Sequence, residues 1–353
     1  MTAEPGGAPG SGVPGAADAS GGPAEAAPRP GLRGSLLVLG ARLLTWLPER
    51  PLVAAAEAIG ELWYRVSPAR AAQARANLRR VCEGLAAQGR GTSLARRAAG
   101  DPDALERIVR RAYRHAVRYY LEVARTGGLT VESAAARIDV DTPDEVRDAL
   151  MTGQRVVIVG MHFGAIELPT IVLSSLVGHR VTAPMETVSD AGLQRWFIES
   201  RSRVGVDIVP LVDARRALLR ALKRGESVGL VADRDVMGNG IPVPFFGHPA
   251  PMSAGPALLA IEAGVPVYAA SARRAKGGRY RGRLILVPSP VEGSRRERMT
   301  ALTASIAAAF ESLIADAPEQ WWGAFHPIWP DLTLHSGDTD VRDRTATHED
   351  APA

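Results

Sequence analysis

Residues 156–167 read VVIVGMHFGAIE, and the fold turns on them. The run up to Gly160 is apolar throughout and β-branched, which fits a strand inside a sheet. Met161 and His162 stand where that strand gives way, and residues 165–177 carry the apolar spacing of a helix. Outward from this point the alternation recurs. Short β-branched runs at 181–183, 207–211, 227–232, 265–270 and 283–288 alternate with helical patterns at 191–204, 213–223, 254–263 and 298–315. Strands and helices of these lengths predict an α/β fold with a mostly parallel central sheet flanked by helices.

Upstream of about residue 130 the strand signals stop. Residues 52–66, 68–81 and 103–126 read as helices, so the fold has a helical N-terminal part. That part is basic: from Arg65 to Arg118, thirteen arginines stand against four acids, Glu83, Asp101, Asp103 and Glu106. Such an excess attracts anions, either phospholipid head groups or a phosphorylated substrate. Few aromatics interleave for base stacking, so no nucleic-acid partner is expected. Residues 36–47, LLVLGARLLTWL, are too short and too broken at Arg42 to cross a membrane. Flanked by Arg33 and Arg50, they fit a helix lying in a membrane interface with Trp46 at head-group level, or an ordinary packing helix.

Residues 1–30 hold almost no large apolar side chain and are predicted to be a disordered tail, as is the polar segment 333–353. The 353 residues thus divide into the tail 1–30, a basic, membrane-associating helical part over 31–128, an α/β part over 129–332 continuous with those helices, and the tail 333–353. One cysteine, Cys82, excludes a disulfide scaffold and a Cys-rich zinc module. Seven histidines leave little room for a multi-His site, and no metal is expected.

In open α/β sheets, ligands gather at the carboxyl ends of the strands. His162 stands at one such end and Asp233 follows the strand at 227–232. If a helix starts at Phe163 or Gly164, Glu167 lies one turn in and faces back toward the imidazole. A carboxylate on one ring nitrogen fixes the tautomer and leaves the other as a general base. On spacing alone, a capping or packing histidine fits equally. Asp233 reads as a second carboxylate on His162 or on the acceptor, or as a salt-bridge partner of Arg234.

Other segments fall in order around this one. Residues 201–205 read RSRVG, 222–235 read LKRGESVGLVADRD, 244–247 read PFFG, and 318–322 read PEQWW. With the His-x₄-Glu segment and the helix-and-strand pattern of 257–266, these blocks resemble the bacterial late acyltransferases over roughly residues 50–332. That family includes the lipid A lauroyl and myristoyl acyltransferases and the phosphatidylinositol mannoside acyltransferase. Ala165-Ile166 stands where the lipid A enzymes have Asn-Trp, and the run at 36–47 stands in place of their leading membrane span. Asp233-Arg234-Asp235 is similar to the mannoside branch.

The resemblance implies an acyl-CoA-dependent glycolipid O-acyltransferase. A long acyl chain would pass from acyl-CoA, a co-substrate rather than a bound cofactor, to a sugar hydroxyl of a glycophospholipid, the mannose of a phosphatidylinositol mannoside. A lipid A-type acceptor is the alternative; a lipid ester hydrolase and a non-enzymatic lipid-binding protein are the alternatives from other classes. The expected location is peripheral, on the anionic cytoplasmic face of the cell membrane. His162 would act as base, Glu167 would orient it and compensate its charge, and Asp233 would act beside them. Arg201, as a bidentate phosphate clamp, would contact substrate, as would Arg234, Asp235, Phe245, Phe246 and Glu262. No Gly-x-Ser-x-Gly elbow is present, so direct transfer is expected rather than an acyl-enzyme.

Overall fold

The computed structural model describes residues 32–333; apart from Thr333, the tails expected at 1–30 and 333–353 lie outside the described residues. The N-terminal part is five helices: α1 (Leu32–Trp46), α2 (Glu49–Val66), α3 (Pro68–Ala87), α4 (Ser93–Ala98) and α5 (Pro102–Arg125). Asp101 caps α5 by accepting from the Asp103 and Ala104 N–H groups, with Pro102 at the first helical position. Leu105, Ile108, Val109, Ala112, Tyr113 and Ala116 repeat at helical spacing and bury one face of α5. α2 crosses α5 at backbone contact: a Cβ on Gly60 would stand 2.7 Å from the Arg114 Cα.

Much of the arginine excess is neutralised within these helices. Glu61 on α2 pairs with Arg65, Arg110 and Arg114, Glu57 pairs with Arg118, and Glu106 pairs with Arg75. Two of those acids, at 57 and 61, precede the stretch that carries the excess. α1 packs on α5 and on the helix at Ala191–Ser202 and buries Ala41, while Leu36, Leu37, Leu39, Leu43, Trp46 and Leu47 face outward. No helix among the described residues is long and apolar enough to cross a membrane.

After α6 (Val131–Ala135) the chain enters a seven-stranded sheet of order β1-β9-β8-β2-β5-β3-β4. Its strands are β1 (Ile138–Val140), β2 (Val157–Gly160), β3 (Val181–Met185), β4 (Val206–Pro210), β5 (Ser227–Val231), β8 (Val267–Arg274) and β9 (Tyr280–Val287). From β8 through β2, β5 and β3 to β4 the strands run parallel; β9 runs against β8, with β1 parallel to β9. The intervening helices are α7 (Asp144–Met151), α8 (Glu167–Leu176), α9 (Ala191–Ser202), α10 (Ala214–Lys223), α11 (Gly255–Ala263) and α12 (Arg295–Ile314). The expected class, a mostly parallel sheet flanked by helices with a helical N-terminal part, is the observed one.

Outside the sheet stands a hairpin where the sequence suggests only a turn: β6 (Ile241–Phe245) and β7 (His248–Met252). Its two turn residues, Phe246 and Gly247, both have positive φ, as a tight primed turn requires. Phe246 is held in that conformation between neighbours. Its N–H donates to the Glu311 carboxylate of α12, and its Cβ would lie 3.1 Å from a Cβ on Gly84 of α3.

Candidate active site

β2 and β5 are hydrogen-bonded neighbours running the same way, with Gly160 opposite Val231. Two residues further on, His162 and Asp233 therefore leave the sheet side by side. The Ala232 N–H donates to the Gly160 carbonyl at 3.0 Å and holds the two loops together at their start. The His162 Nδ1 lies 2.7 Å from the Asp233 Oδ1, and the His162 backbone N–H donates to Oδ2 at 3.0 Å. The Trp321 indole N–H donates to that same Oδ2 at 2.9 Å. Asp233 is completely buried. Burial opposes its charge, but the imidazole, the indole and the backbone N–H outweigh it and hold the carboxyl below its ordinary pKa. An ionised Asp233 only accepts hydrogen bonds, so Nδ1 carries the imidazole proton and Nε2 is left as an acceptor.

Glu167 does not face the imidazole. Gly164 has φ 53°, and the Ala165 N–H donates to the Ala272 carbonyl at 2.9 Å, so the loop stays open three or four residues past the expected helix start at Phe163 or Gly164. α8 then begins at Glu167 itself, and the side chain turns toward α9. There Arg201 grips it through Nε–Oε2 at 3.2 Å and Nη2–Oε1 at 2.5 Å. The geometry thus replaces the expected His162–Glu167 contact with His162–Asp233. It also ties up the guanidinium expected to hold a phosphate. Breaking such a buried pair from one side costs about 3–5 kcal/mol, because the other charge is stranded.

His162, Glu167 and Arg201 all line one cavity of about 230 Å³ between the sheet and α8. The rest of its wall is largely apolar, including Ile158, Leu173, Val181, Val206 and Ile208. Over its mouth Trp322 meets the imidazole edge-on, with ring centroids 4.7 Å apart, and stacks on Tyr119 at 4.5 Å.

The remaining expected contacts fall elsewhere. Phe245 and Phe246 are buried to within 1% and pack on Trp321, Trp329 and each other, so they present no surface to a substrate. Asp235 turns inward to accept from the Asn239 and Gly240 N–H groups and shapes its own loop. Glu262 bridges Arg215 and Arg295 on the surface. Arg234 is half-buried, forms no salt bridge among the described residues, and stands close enough to His326 to disfavour its protonation. Cys82 is buried in α3 and its thiol is pushed up to about 12, which removes it as a nucleophile. No cluster of three or more metal-ligating side chains occurs among the described residues.

The loop that carries His162 is sewn to the C-terminal segment. Phe163 bridges to Trp321, the Gly164 N–H donates to the Gln320 carbonyl at 2.9 Å, and the Gly323 N–H donates to the His162 carbonyl at 3.1 Å. A Cβ on Gly323 would sit 2.5 Å from the Asp233 carboxylate, so only glycine fits there. Asn77 of α3 donates to the Ala324 and His326 carbonyls at 2.9 and 2.7 Å. The PEQWW block is plain in the sequence, yet sequence reasoning gives Trp321 no part in the site; that repeated Trp in so conspicuous a block was the available signal.

His326 is pushed down to about 4, first by burial and then by Arg234 and His162. The unfolded chain takes up that proton at 6.5, so stability is present above this value and declines as pH falls toward 4. We expect the midpoint of thermal unfolding to drop through this window, with a shallower drop in His326→Gln. An equally steep drop in the variant would remove His326 as the cause.

The structure thus sets a carboxylate-held histidine, at the carboxyl end of a mostly parallel α/β sheet, beside a largely apolar cavity. Residues 26–330 match the bacterial lipid A biosynthesis acyltransferase family, and the chain belongs to it. It is an acyltransferase. Among its relatives, a phosphatidylinositol mannoside acyltransferase of Mycolicibacterium smegmatis is 28% identical over 239 residues, 66% of this chain and 76% of that protein. The protein of that name from Mycobacterium tuberculosis is 31% identical over 153 residues; this match spans 42% of the chain and 48% of the relative.

Proposed function

We propose that the protein transfers a long acyl chain from acyl-CoA to a sugar hydroxyl of a glycophospholipid, the mannose of a phosphatidylinositol mannoside. The observation that carries this is the free Nε2 of His162, fixed by Asp233 at the mouth of an apolar cavity. The cavity takes the acyl chain, each methylene contributing about 0.8 kcal/mol on burial. The acceptor oxygen attacks the thioester carbonyl as its proton passes to Nε2. The ionised Asp233 stabilises the imidazolium so formed. The tetrahedral intermediate then expels the CoA sulfur, which takes the proton from Nε2 and leaves as the thiol. The products are the ester and free CoA, and His162 returns to its starting state. Glu167 and Arg201 hold the α8 side of the cavity in place rather than handling the proton.

The outward leucines of α1 with Trp46 support a peripheral location on a membrane surface, and acyl-CoA as the donor makes the cytoplasmic face the side proposed. We expect the protein to sediment with phosphatidylinositol-containing vesicles better than with phosphatidylcholine vesicles. At 1 M salt, where the Debye length falls to about 3 Å, most of it should be released. The acceptor is tested by incubating the full chain with palmitoyl-CoA and a panel of glycolipids and weighing the products. Acylation of a mannosylated phosphoinositide, with no acyl-CoA consumed when acceptor is left out, is expected. Acylation of a lipid A precursor alone would overturn the acceptor, and acyl-CoA hydrolysis without acceptor would make the protein a hydrolase.

A further inference from the structure

A broad groove lies outside the cavity, between the start of α2, α5 and the β8–β9 turn. Eight cationic side chains and two carboxylates line it. The two carboxylates are already engaged: Glu49 pairs with Arg137 and Asp139 with Arg279. Arg50, Arg273, Lys276 and Arg281 make no salt bridge or side-chain hydrogen bond among the described residues. Arg118 reaches Glu57 with one nitrogen, but its Nε is buried without any partner among the described residues.

The sheet makes the arrangement costly. Arg273 and Arg281 sit directly opposite one another on the antiparallel β8–β9 ladder. Like charges in that position destabilise a sheet. A bound anion relieves the repulsion and gives the guanidinium forks the geometry they match best. The groove shares no lining residue with the active-site cavity but is linked to it through a smaller pocket. Arg118 and Arg137 line both the groove and this smaller pocket, and Glu167 lines both that pocket and the acyl cavity. At about 1180 Å³ the groove has the size of a ligand site rather than of a single ion contact.

We propose that this groove is a phosphate-binding subsite that holds the phosphorylated end of a substrate whose reacting end is at His162. The inference rests on the acyl-transfer reading, under which both substrates carry phosphate: the nucleotide of CoA and the phosphodiester of the acceptor lipid. It takes over the role that Arg201 cannot fill, because Glu167 occupies that guanidinium.

The test reads binding, not turnover, so it stands apart from the fate of the transfer reaction. In the full chain, R273S/R281S removes the facing pair. We expect its unfolding midpoint to equal or exceed that of the parent, because a repulsion is lost. Inorganic pyrophosphate should raise the midpoint of the parent and leave that of the variant unmoved. Calorimetry with CoA and with pantetheine, which lacks the nucleotide, gives the donor arm. Sedimentation with phosphatidylinositol and phosphatidylcholine vesicles gives the acceptor arm. A tenfold or greater loss of CoA affinity, with pantetheine unchanged, assigns the groove to the donor. Loss of the preference for phosphatidylinositol assigns it to the acceptor, and loss of both makes it a phosphate site used by each in turn. Unchanged affinity for pyrophosphate, CoA and both vesicles overturns the proposal, as does a parent protein that binds none of them. Should the double variant fail to fold, R50S/K276S, on two exposed side chains, takes its place in the same measurements, and each outcome is interpreted in the same way.

Discussion

His162→Ala is expected to reduce acyl transfer to the background while the far-ultraviolet circular dichroism stays close to that of the parent; the unfolding midpoint falls, because the buried Asp233 carboxylate loses its imidazole partner. General-base catalysis is typically worth about 10²–10⁴ in rate, and among the described residues no second base stands at the cavity mouth to replace it. Glu167 is engaged by Arg201, and His326 belongs to the segment held by Asn77. The imidazole is partly exposed and contributes little to the core, its main packing contact being the edge of Trp322. The fold therefore survives its removal. Turnover within tenfold of the parent, in a protein of unchanged circular dichroism, would refute the base assignment.

Asp233→Asn tests the partner of the base more sharply than truncation does. Oδ2 of Asp233 accepts from the Trp321 indole and from the His162 backbone, while Oδ1 faces Nδ1. In the asparagine variant the single carbonyl oxygen must stay at the doubly donated position. The amide nitrogen then faces Nδ1 as a donor, and Nδ1 must accept. The imidazole proton moves to Nε2, the nitrogen that has to be free for the reaction. In a serine-protease triad the equivalent change lowers kcat about 10⁴-fold, and a loss on the order of 10³–10⁴ is expected here. Nitrogen-15 spectra of the labelled imidazole should report the tautomer switch directly. Glu167→Gln should leave the tautomer alone and act through the stranded Arg201, so its principal effect is on stability and on donor KM. A tautomer switch in Glu167→Gln, with none in Asp233→Asn, would reverse the two roles.

How much of this was legible in the sequence depends on the range of the interaction. The strand-and-helix rhythm from 156 to 315 is local, written in β-branching and apolar spacing, and the elements fall within a few residues of their expected places. The hairpin of β6 and β7 escapes a sequence-based assignment because its prolines, at 242, 244, 249 and 251, argue against strands. They are tolerated because this two-stranded ladder stands outside the main sheet. The dyad was half legible. Sequence spacing put Glu167 near His162, but pairing of strands 71 residues apart decides which carboxylate arrives. That pairing depends on β5 slotting between β2 and β3, which no local pattern encodes. The arginine excess was countable, yet its partners at 57 and 61, and the separate facing pair Arg273 and Arg281 on β8 and β9, became visible only in three dimensions.

The stitching of the His162 loop to the segment from Gln320 to His326 sets the order in which the protein can become competent. As the chain emerges from the ribosome, α3 is complete and the β2 end is available long before the Trp321 indole exists. Asn77 must wait for partners 247 and 249 residues downstream. Until they arrive, Asp233 lacks the indole donor that helps to keep it ionised, and the loop carrying His162 lacks the strand-like bridge at Phe163. A nascent or prematurely terminated chain that already holds the sheet therefore still lacks the Trp322 wall of the cavity and the Trp321 donor to Asp233.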